Sequence, residues 1–388
     1  MPTAATTAGG TRQSTGNGKQ QNARPVATVP FIRASAEHVE NAGIDVTKTL
    51  TTSQQSLGTF DIPAYGYVRS LYVLVEATGG VTGTGTEAVT EDAPWNILKD
   101  IALTEPNGAV IAQFNTGYEL FLANKWGGYR PYNDPRNSPA YDVSNLTGAS
   151  GTGDFSFALR IPVEISLREA LGALPNQNAA ATFKLRMNLA DKASVFTLHD
   201  GTLPDVRVRV FLEAWDQPDA SAGGAVNQTT PPAMNTTQFW SSQTFNVSSG
   251  QNTIRLTRVG NYIRNLIFIA RDDSSPAVRS TGESEWPDPL RVYLDARPVL
   301  ELNKTYWKHL LWERNNKTGA GDAAGQKDNG VYVLDFTHEF DGTLGQEHRD
   351  LWLPTLSSTR LEVQGTFGGA GTLTVLTNDV AIAGPVFV

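Results

Sequence analysis

Tyr67-Val68-Arg69-Ser70-Leu71-Tyr72-Val73-Leu74-Val75 decides how the chain is read, because Tyr262-Ile263-Arg264-Asn265-Leu266-Ile267-Phe268-Ile269-Ala270 repeats it. Tyr, Arg and Leu recur in the same register, and β-branched or aliphatic residues replace one another at Val68/Ile263 and Leu74/Ile269. Nine residues this rich in Val, Ile, Leu, Tyr and Phe, without helix-type spacing of polar positions, predict a strand in each copy. Strict alternation would put Tyr67, Arg69, Leu71, Val73 and Val75 on one face and Ser70, Tyr72 and Leu74 on the other. Both faces are largely apolar. A half-solvated antiparallel strand would alternate cleanly, so this one is expected to be covered on both sides, by its sandwich partner and by something outside it.

Two further pairs follow the repeat in order. Pro94-Trp95-Asn96-Ile97-Leu98 is matched by Trp286-Pro287-Asp288-Pro289-Leu290, and Ala173-Leu174-Pro175 by Trp352-Leu353-Pro354. The offsets shrink along the chain: 262 minus 67 is 195, 286 minus 95 is 191, and 353 minus 174 is 179. Shrinking offsets are the mark of a duplicated domain whose loops have drifted in length, and the repeat is too long for a solenoid unit. With 388 residues there is room for two sandwiches with cores of their own.

Strands are predicted at Ser56 to Ile62, Tyr67 to Val75, Ile97 to Thr104, Ala109 to Phe114, Phe155 to Ile161, Thr182 to Leu189 and Val206 to Ala214. In the second half they fall near Gln243 to Val247, Thr253 to Leu256, Tyr262 to Ala270, Leu290 to Asp295, Val331 to Phe336, Thr359 to Gln364 and Thr372 to Leu376. Val206, Val208, Val210 and Leu212 alternate with Arg207, Arg209 and Glu213, which fixes the register of that strand. Ser166 and Glu169 stand in capping-box spacing with Gly172 as a stop, predicting one short helix; Thr343 to Leu351 is its counterpart. Asp216 to Pro232 reads as a linker by composition. The division is therefore an arm over residues 1–28, a sandwich over 29–215, a linker over 216–232 and a second sandwich over 233–388. Loops Glu76 to Asp92, Gly127 to Gly153 and Glu313 to Gly330 are too long for simple connections.

Composition excludes more chemistry than it suggests. There is no cysteine, so neither disulfides nor thiolates enter. The first ten residues have no basic start and no apolar core, so no secretory signal is expected, and synthesis in the cytoplasm is. Net charge is -8, yet residues 1–28 hold Arg12, Lys19 and Arg24 and no acid. This polar arm is expected to be disordered alone and to meet an anionic partner, lipid headgroups or nucleic acid. Three cations are too few for specific nucleic-acid recognition.

His338-Glu339 and His348 miss the metalloprotease spacing, and Gly319 to Gln326 lacks the Lys-Ser/Thr that ends a phosphate loop. Asp272, Asp273, Glu283, Glu285 and Asp288 could form an acid/base pair or bind calcium, but a solvated loop is the commoner reading of such a cluster. Trp95, Trp215, Trp286 and Trp352 sit beside apolar residues or Pro, where packing is expected rather than a sugar platform. No catalytic residue, metal or cofactor is expected.

With its length, duplicated halves, polar arm, and the run Ile161-Pro162-Val163-Glu164-Ile165-Ser166 through Leu174-Pro175 to Phe183-Lys184-Leu185-Arg186, the chain resembles the major capsid proteins of tectivirus-like bacteriophages, icosahedral phages with a membrane inside the shell. The resemblance implies an all-β fold of two tandem eight-stranded jelly rolls, a double jelly roll, with short helices in loops. It implies a homotrimer of pseudo-hexagonal outline, a structural protein and no enzyme, tiling a virion shell beside vertex and minor capsid proteins. Long loops would form outer towers and the terminal arm would face the membrane. The competing reading is a carbohydrate-active or carbohydrate-binding double jelly roll of the glycan amidase or glycosidase type.

Overall fold

The computed structural model describes residues 31–127, 134–166, 170–218, 230–231, 236–274, 278–279, 286–315, 329–337 and 352–382. Sixteen of its strands make two eight-stranded rolls. Those of roll one are β1 (Glu37–Thr49), β2 (Gln55–Asp61), β3 (Tyr67–Thr78), β4 (Leu98–Thr104), β5 (Val110–Thr116), β6 (Phe155–Pro162), β7 (Lys184–Leu189) and β8 (Asp205–Trp215). Those of roll two are β9 (Thr236–Val247), β10 (Gly250–Leu256), β11 (Tyr262–Asp272), β12 (Leu290–Leu294), β13 (Arg297–Leu302), β14 (Val331–Asp335), β15 (Leu361–Phe367) and β16 (Gly371–Ile382). Each strand of roll two is the counterpart of the one eight numbers earlier. One sheet runs β1-β8-β3-β6 and its twin β9-β16-β11-β14; the other runs β2-β7-β4-β5 and its twin β10-β15-β12-β13. A parallel bridge between Ala112 of β5 and Trp240 of β9 joins the rolls, so one sheet runs through both.

The repeated nonapeptide is β3 and β11, and the repeat holds at the level of single pairs. Leu174-Pro175 pairs with Val68 and Tyr67, and Leu353-Pro354 pairs with Ile263 and Tyr262. In each copy the arginine is the extra residue of a β-bulge. Glu213 faces Ser70 and Ala214 faces Val68, leaving Arg69 unopposed; Asn378 faces Asn265 and Asp379 faces Ile263, leaving Arg264 unopposed. A bulge reverses side-chain alternation beyond it. The strict alternation expected for Tyr67 and Arg69 is therefore corrected. Val68, Leu71, Val73 and Val75 belong to the main core, whereas Tyr67 packs with Phe31, Ala170 and Ala173 in a separate cluster.

Two strands and two helices were not foreseen. β1 alternates between exposed and mostly half-buried positions, with only Ala42 and Ile44 buried, and is rich in Glu, Asn, Asp and Thr, so it lacked an apolar signal; β13 is a short edge strand with Pro298 near its start and only Leu302 buried. Helix α1 (Gly117–Trp126) follows β5 and is buried at every residue, so it shows no amphipathic stripe. Its start was nonetheless written in the chain. Thr116 accepts from the Glu119 amide, Glu119 accepts from the Asn115 amide at 2.7 Å, and Gly127 ends the helix. Helix α2 (Lys304–Asn315) follows β13 and starts where Asn303 accepts from the Tyr306 amide. The helix expected from Ser166 to Gly172 is not what its described ends form. An antiparallel bridge joins Ser166 to Leu171, and Ala170 and Gly172 have φ of 50° and 84°, so the chain turns back on itself there. Leu167 to Glu169 and Thr343 to Leu351 lie outside the described residues.

Each helix closes the free edge of its own roll. The Asn124 amide donates to the Arg160 carbonyl and accepts from the Arg160 amide on β6. On β14, Trp307 donates to the Val333 carbonyl at 2.7 Å and Lys308 to the Val331 carbonyl. Covering an edge in this way satisfies backbone groups that would otherwise be free to pair with another chain.

Candidate assembly surfaces

The two rolls stand side by side and point the same way. At one end, Thr78 pairs with Asp205 and Ala77 with Phe155, so the β3–β4, α1–β6 and β7–β8 connections of roll one meet there. They form a small structure of their own. Phe196–Leu198 pairs with Ala88–Val89, Val81 bridges Thr202, and Glu87 bridges Gly148. At its centre His199 and Glu87 are wholly buried, Nδ1 to Oε2 at 2.6 Å, with Nε2 at 3.1 Å from the Thr202 carbonyl. The same end of roll two reaches across. Arg271 of β11 donates to Asp92 at 2.6 Å, while buried Arg279 donates to Asp92 at 2.9 Å, to the Glu91 carbonyl and to the Asn329 carbonyl. The ring of Tyr118 from α1 lies beneath both guanidinium groups.

At the opposite end, Tyr67 pairs with Trp215 and Trp215 with Glu37, and the first described residue, Phe31, meets Tyr67 edge to face at 5.3 Å. Ile382 pairs with Thr236 at this end of roll two, and Ile165 and Leu171 of roll one pack with Trp352 and Val380 of roll two. Buried Arg69 also lies here. It donates to Glu164 at 2.9 Å and to Glu37, and stands 3.3 Å from Glu213. Its guanidinium covers the Trp215 ring at 4.3 Å, and the Trp215 indole donates to Glu164. Burial pushes the Glu164 carboxyl above its ordinary value despite Arg69 and the indole. A three-carboxylate cage around one cation holds β1, β3, β8 and the segment after β6 in one place.

Between the ends, Trp240 of β9 lies against Phe114 of β5 with ring centroids 5.9 Å apart, and Gly127, the end of α1, sits on its indole. A Cβ on Gly127 would fall 2.4 Å from that ring, which is why the position has no side chain. Gln238 donates to the Val163 carbonyl and Asn115 to Ser242. Glu119 is enclosed in this seam, and burial pushes its carboxyl up to about 7 against the pull of the Asn115 amide, Ser242 and Arg271.

The residues singled out for chemistry fall apart. Asp272 accepts from the Ser274 and Val278 amides and caps a turn; Asp288 accepts from the Lys304 amide. Glu283 and Glu285, like His338, Glu339, His348 and Gly319 to Gln326, lie outside the described residues. Among the described residues no three His, Asp or Glu side chains group as metal ligands. His38 stacks on Tyr65, and His309 is exposed on α2. Trp95, Trp286 and Trp352 are buried in the core and Trp215 lies under Arg69, so none of the four forms a sugar-binding platform. Arg12, Lys19 and Arg24 lie outside the described residues, whose first member enters at the end away from the loop cluster. Among the described residues no helix is long and apolar enough to cross a membrane.

No family model matches the sequence, and no curated protein is similar to it. Solved structures do match in fold. The major capsid protein of Sulfolobus turreted icosahedral virus superposes with a TM-score of 0.61 at 12% identity, covering 89% of this chain and 97% of that one. Major capsid protein P2 of bacteriophage PM2 gives 0.54 at 11% identity, covering 91% and 100%. The capsid protein of the virus PBCV-1 gives 0.54 at 10% identity, covering 89% and 93%. Duplicated sheets, a shared end for the loops and coverage of nearly the whole of each chain leave one fold assignment: this chain is a double jelly roll of the kind found in these viral major capsid proteins.

Proposed function

We propose that the chain is a structural major capsid protein whose homotrimers, pseudo-hexagonal because three chains bring six rolls, tile an icosahedral virion shell around an internal membrane, as in the tectivirus-like phages. One observation carries this reading: two rolls stand aligned, with a cluster of long loops at one end and both ends of the described chain at the other. A tile needs an outer and an inner side, and a polypeptide built this way has both. The likeness in fold to capsid proteins supports it. In this reading roll one takes residues 29–215, a linker 216–232 and roll two 233–388. The loop cluster faces outward as towers. Residues 1–28, with Arg12, Lys19 and Arg24, face inward, where basic residues gain from anionic headgroups.

Light scattering on the purified protein is expected to give three times 41.9 kDa. A single-chain mass in concentrated solution overturns the reading. Deleting residues 1–28 should leave three chains per particle and impair shell formation; normal shells from the truncated protein would refute the inward role of the arm.

A further inference from the structure

The seam inside the chain is a template for a seam between chains. Three positions that roll one and roll two share are buried in one copy and open in the other. Val39 faces Glu213, which faces Ser70, the residue after the bulged Arg69; Trp240 faces Asn378, which faces Asn265, the residue after the bulged Arg264. Val39 and Trp240 therefore occupy the same place in twin sheets, and Val39 is 59% exposed where Trp240 is 1%. Tyr72 and Ile267 are three residues beyond their bulged arginines, and they are 38% and 0% exposed. The helices align through their ring contacts, since Trp95 stacks on Phe121 as Trp286 meets Trp307. On that alignment Trp126 of α1 corresponds to Trp312 of α2, and their exposures are 6% and 51%.

Trp240 and β11 are buried by the other roll. Trp240 is covered by β5 and the end of α1, and β11 is covered by α1. The counterparts of β5 and α1 are β13 and α2, and among the described residues β13 is a free sheet edge, as is β1, the counterpart of β9. We propose that β13 and the Tyr306/Trp312 side of α2 in one copy cover Val39 and Tyr72 on the β1-β8-β3-β6 sheet of a second copy, reproducing the β5/α1-on-β9/β11 seam. The contact is heterologous, since the two surfaces differ, and with a threefold rotation it closes into a ring that leaves no patch unmatched. Large apolar side chains on both sides, with both sheet edges open, are what a second copy of this chain would bury. The inference rests on the assembly proposed above and names the surfaces that make it.

The cysteine-free chain allows a direct test. Val39→Cys and Trp312→Cys are made singly and together, their folding checked by thermal melting, and treated with a short bis-maleimide. The two singles mixed and reassembled should give a covalent dimer, each single alone should give none, and the double variant should give a ladder that ends at three chains. Val39→Arg and Tyr72→Arg should each raise the concentration at half-dissociation at least tenfold. If the wild type is a trimer but the mixed and double Cys variants yield no cross-link, and Val39→Arg leaves the trimer mass unchanged, this contact is overturned and the trimer stands. A wild-type monomer overturns the trimer itself.

Discussion

Roll one and roll two carry the same strand at their centres, and the two copies have different surroundings. β11 is buried on both faces from Ile263 to Ala270, because α1 of roll one lies over its outer side. β3 is buried at Tyr67 to Leu71 and then opens, with Tyr72 exposed and Leu74 and Glu76 half-buried. The helices follow suit: α1 is enclosed throughout, and α2 presents Tyr306 and Trp312 outward. A duplicated unit makes two copies of every surface, and one chain can join them only once. The copy of the seam left over is the surface proposed above for a second molecule.

That comparison can be broken in several places. The largest effect is expected for Arg69→Met, which strips the cation from buried Glu164, from Glu213 and from the more exposed Glu37. Removing one partner of a buried ion pair costs about 3–5 kcal/mol, read as a fall in the denaturant midpoint. A change below about 1 kcal/mol would mean that the cage does not hold the end of roll one together. Next comes the matched pair Trp240→Ala and Val39→Ala. The buried indole should cost about 3–5 kcal/mol, whereas the exposed valine should stay within about 0.5 kcal/mol in the isolated chain. Equal losses would end the distinction between a covered and an open copy.

Arg279→Ala should cost about 3 kcal/mol, because Asp92 then loses one of its two guanidinium partners in the inter-roll seam. Thermal melting should show the loss, and no change would mean that the rolls do not depend on this bridge. The last effect to be read is the pH response of Glu119. Its folded carboxyl lies above the ordinary value of 4.5, at about 7. Its contribution is thus full below 4.5 and is lost as pH rises through about 7. The wild type should be more stable at about pH 5 than at about pH 8, by on the order of 3 kcal/mol from this group. Glu119→Gln should flatten that slope; an unchanged slope would assign it to other groups.

The fold was legible in the sequence to the extent that apolar runs and turn residues carry it. β3, β8 and β11 announced themselves because Val, Ile and Leu alternate or run together there, and the duplication was visible because Tyr, Arg and Leu-Pro recur where strand pairing needs them. β1 was hidden by its polar, half-exposed surface, and α1 by being apolar all round, although Thr116-x-x-Glu119 and Gly127 marked its ends. The assembly surfaces were not legible at all. Val39 and Trp240 share no letter and no motif, and their kinship exists only through the residues that face them across two strands.

The sequence by itself determined that this chain is β-rich, doubled and without thiol chemistry, because strand period, internal likeness and composition are properties of the linear order. The tertiary structure alone decided that each repeated arginine is a bulge, that loops gather at one end and chain ends at the other, and which copy of the seam stays open. Those depend on which surfaces meet. A β-strand reads the same whether its outer face is covered by its own chain or left for another.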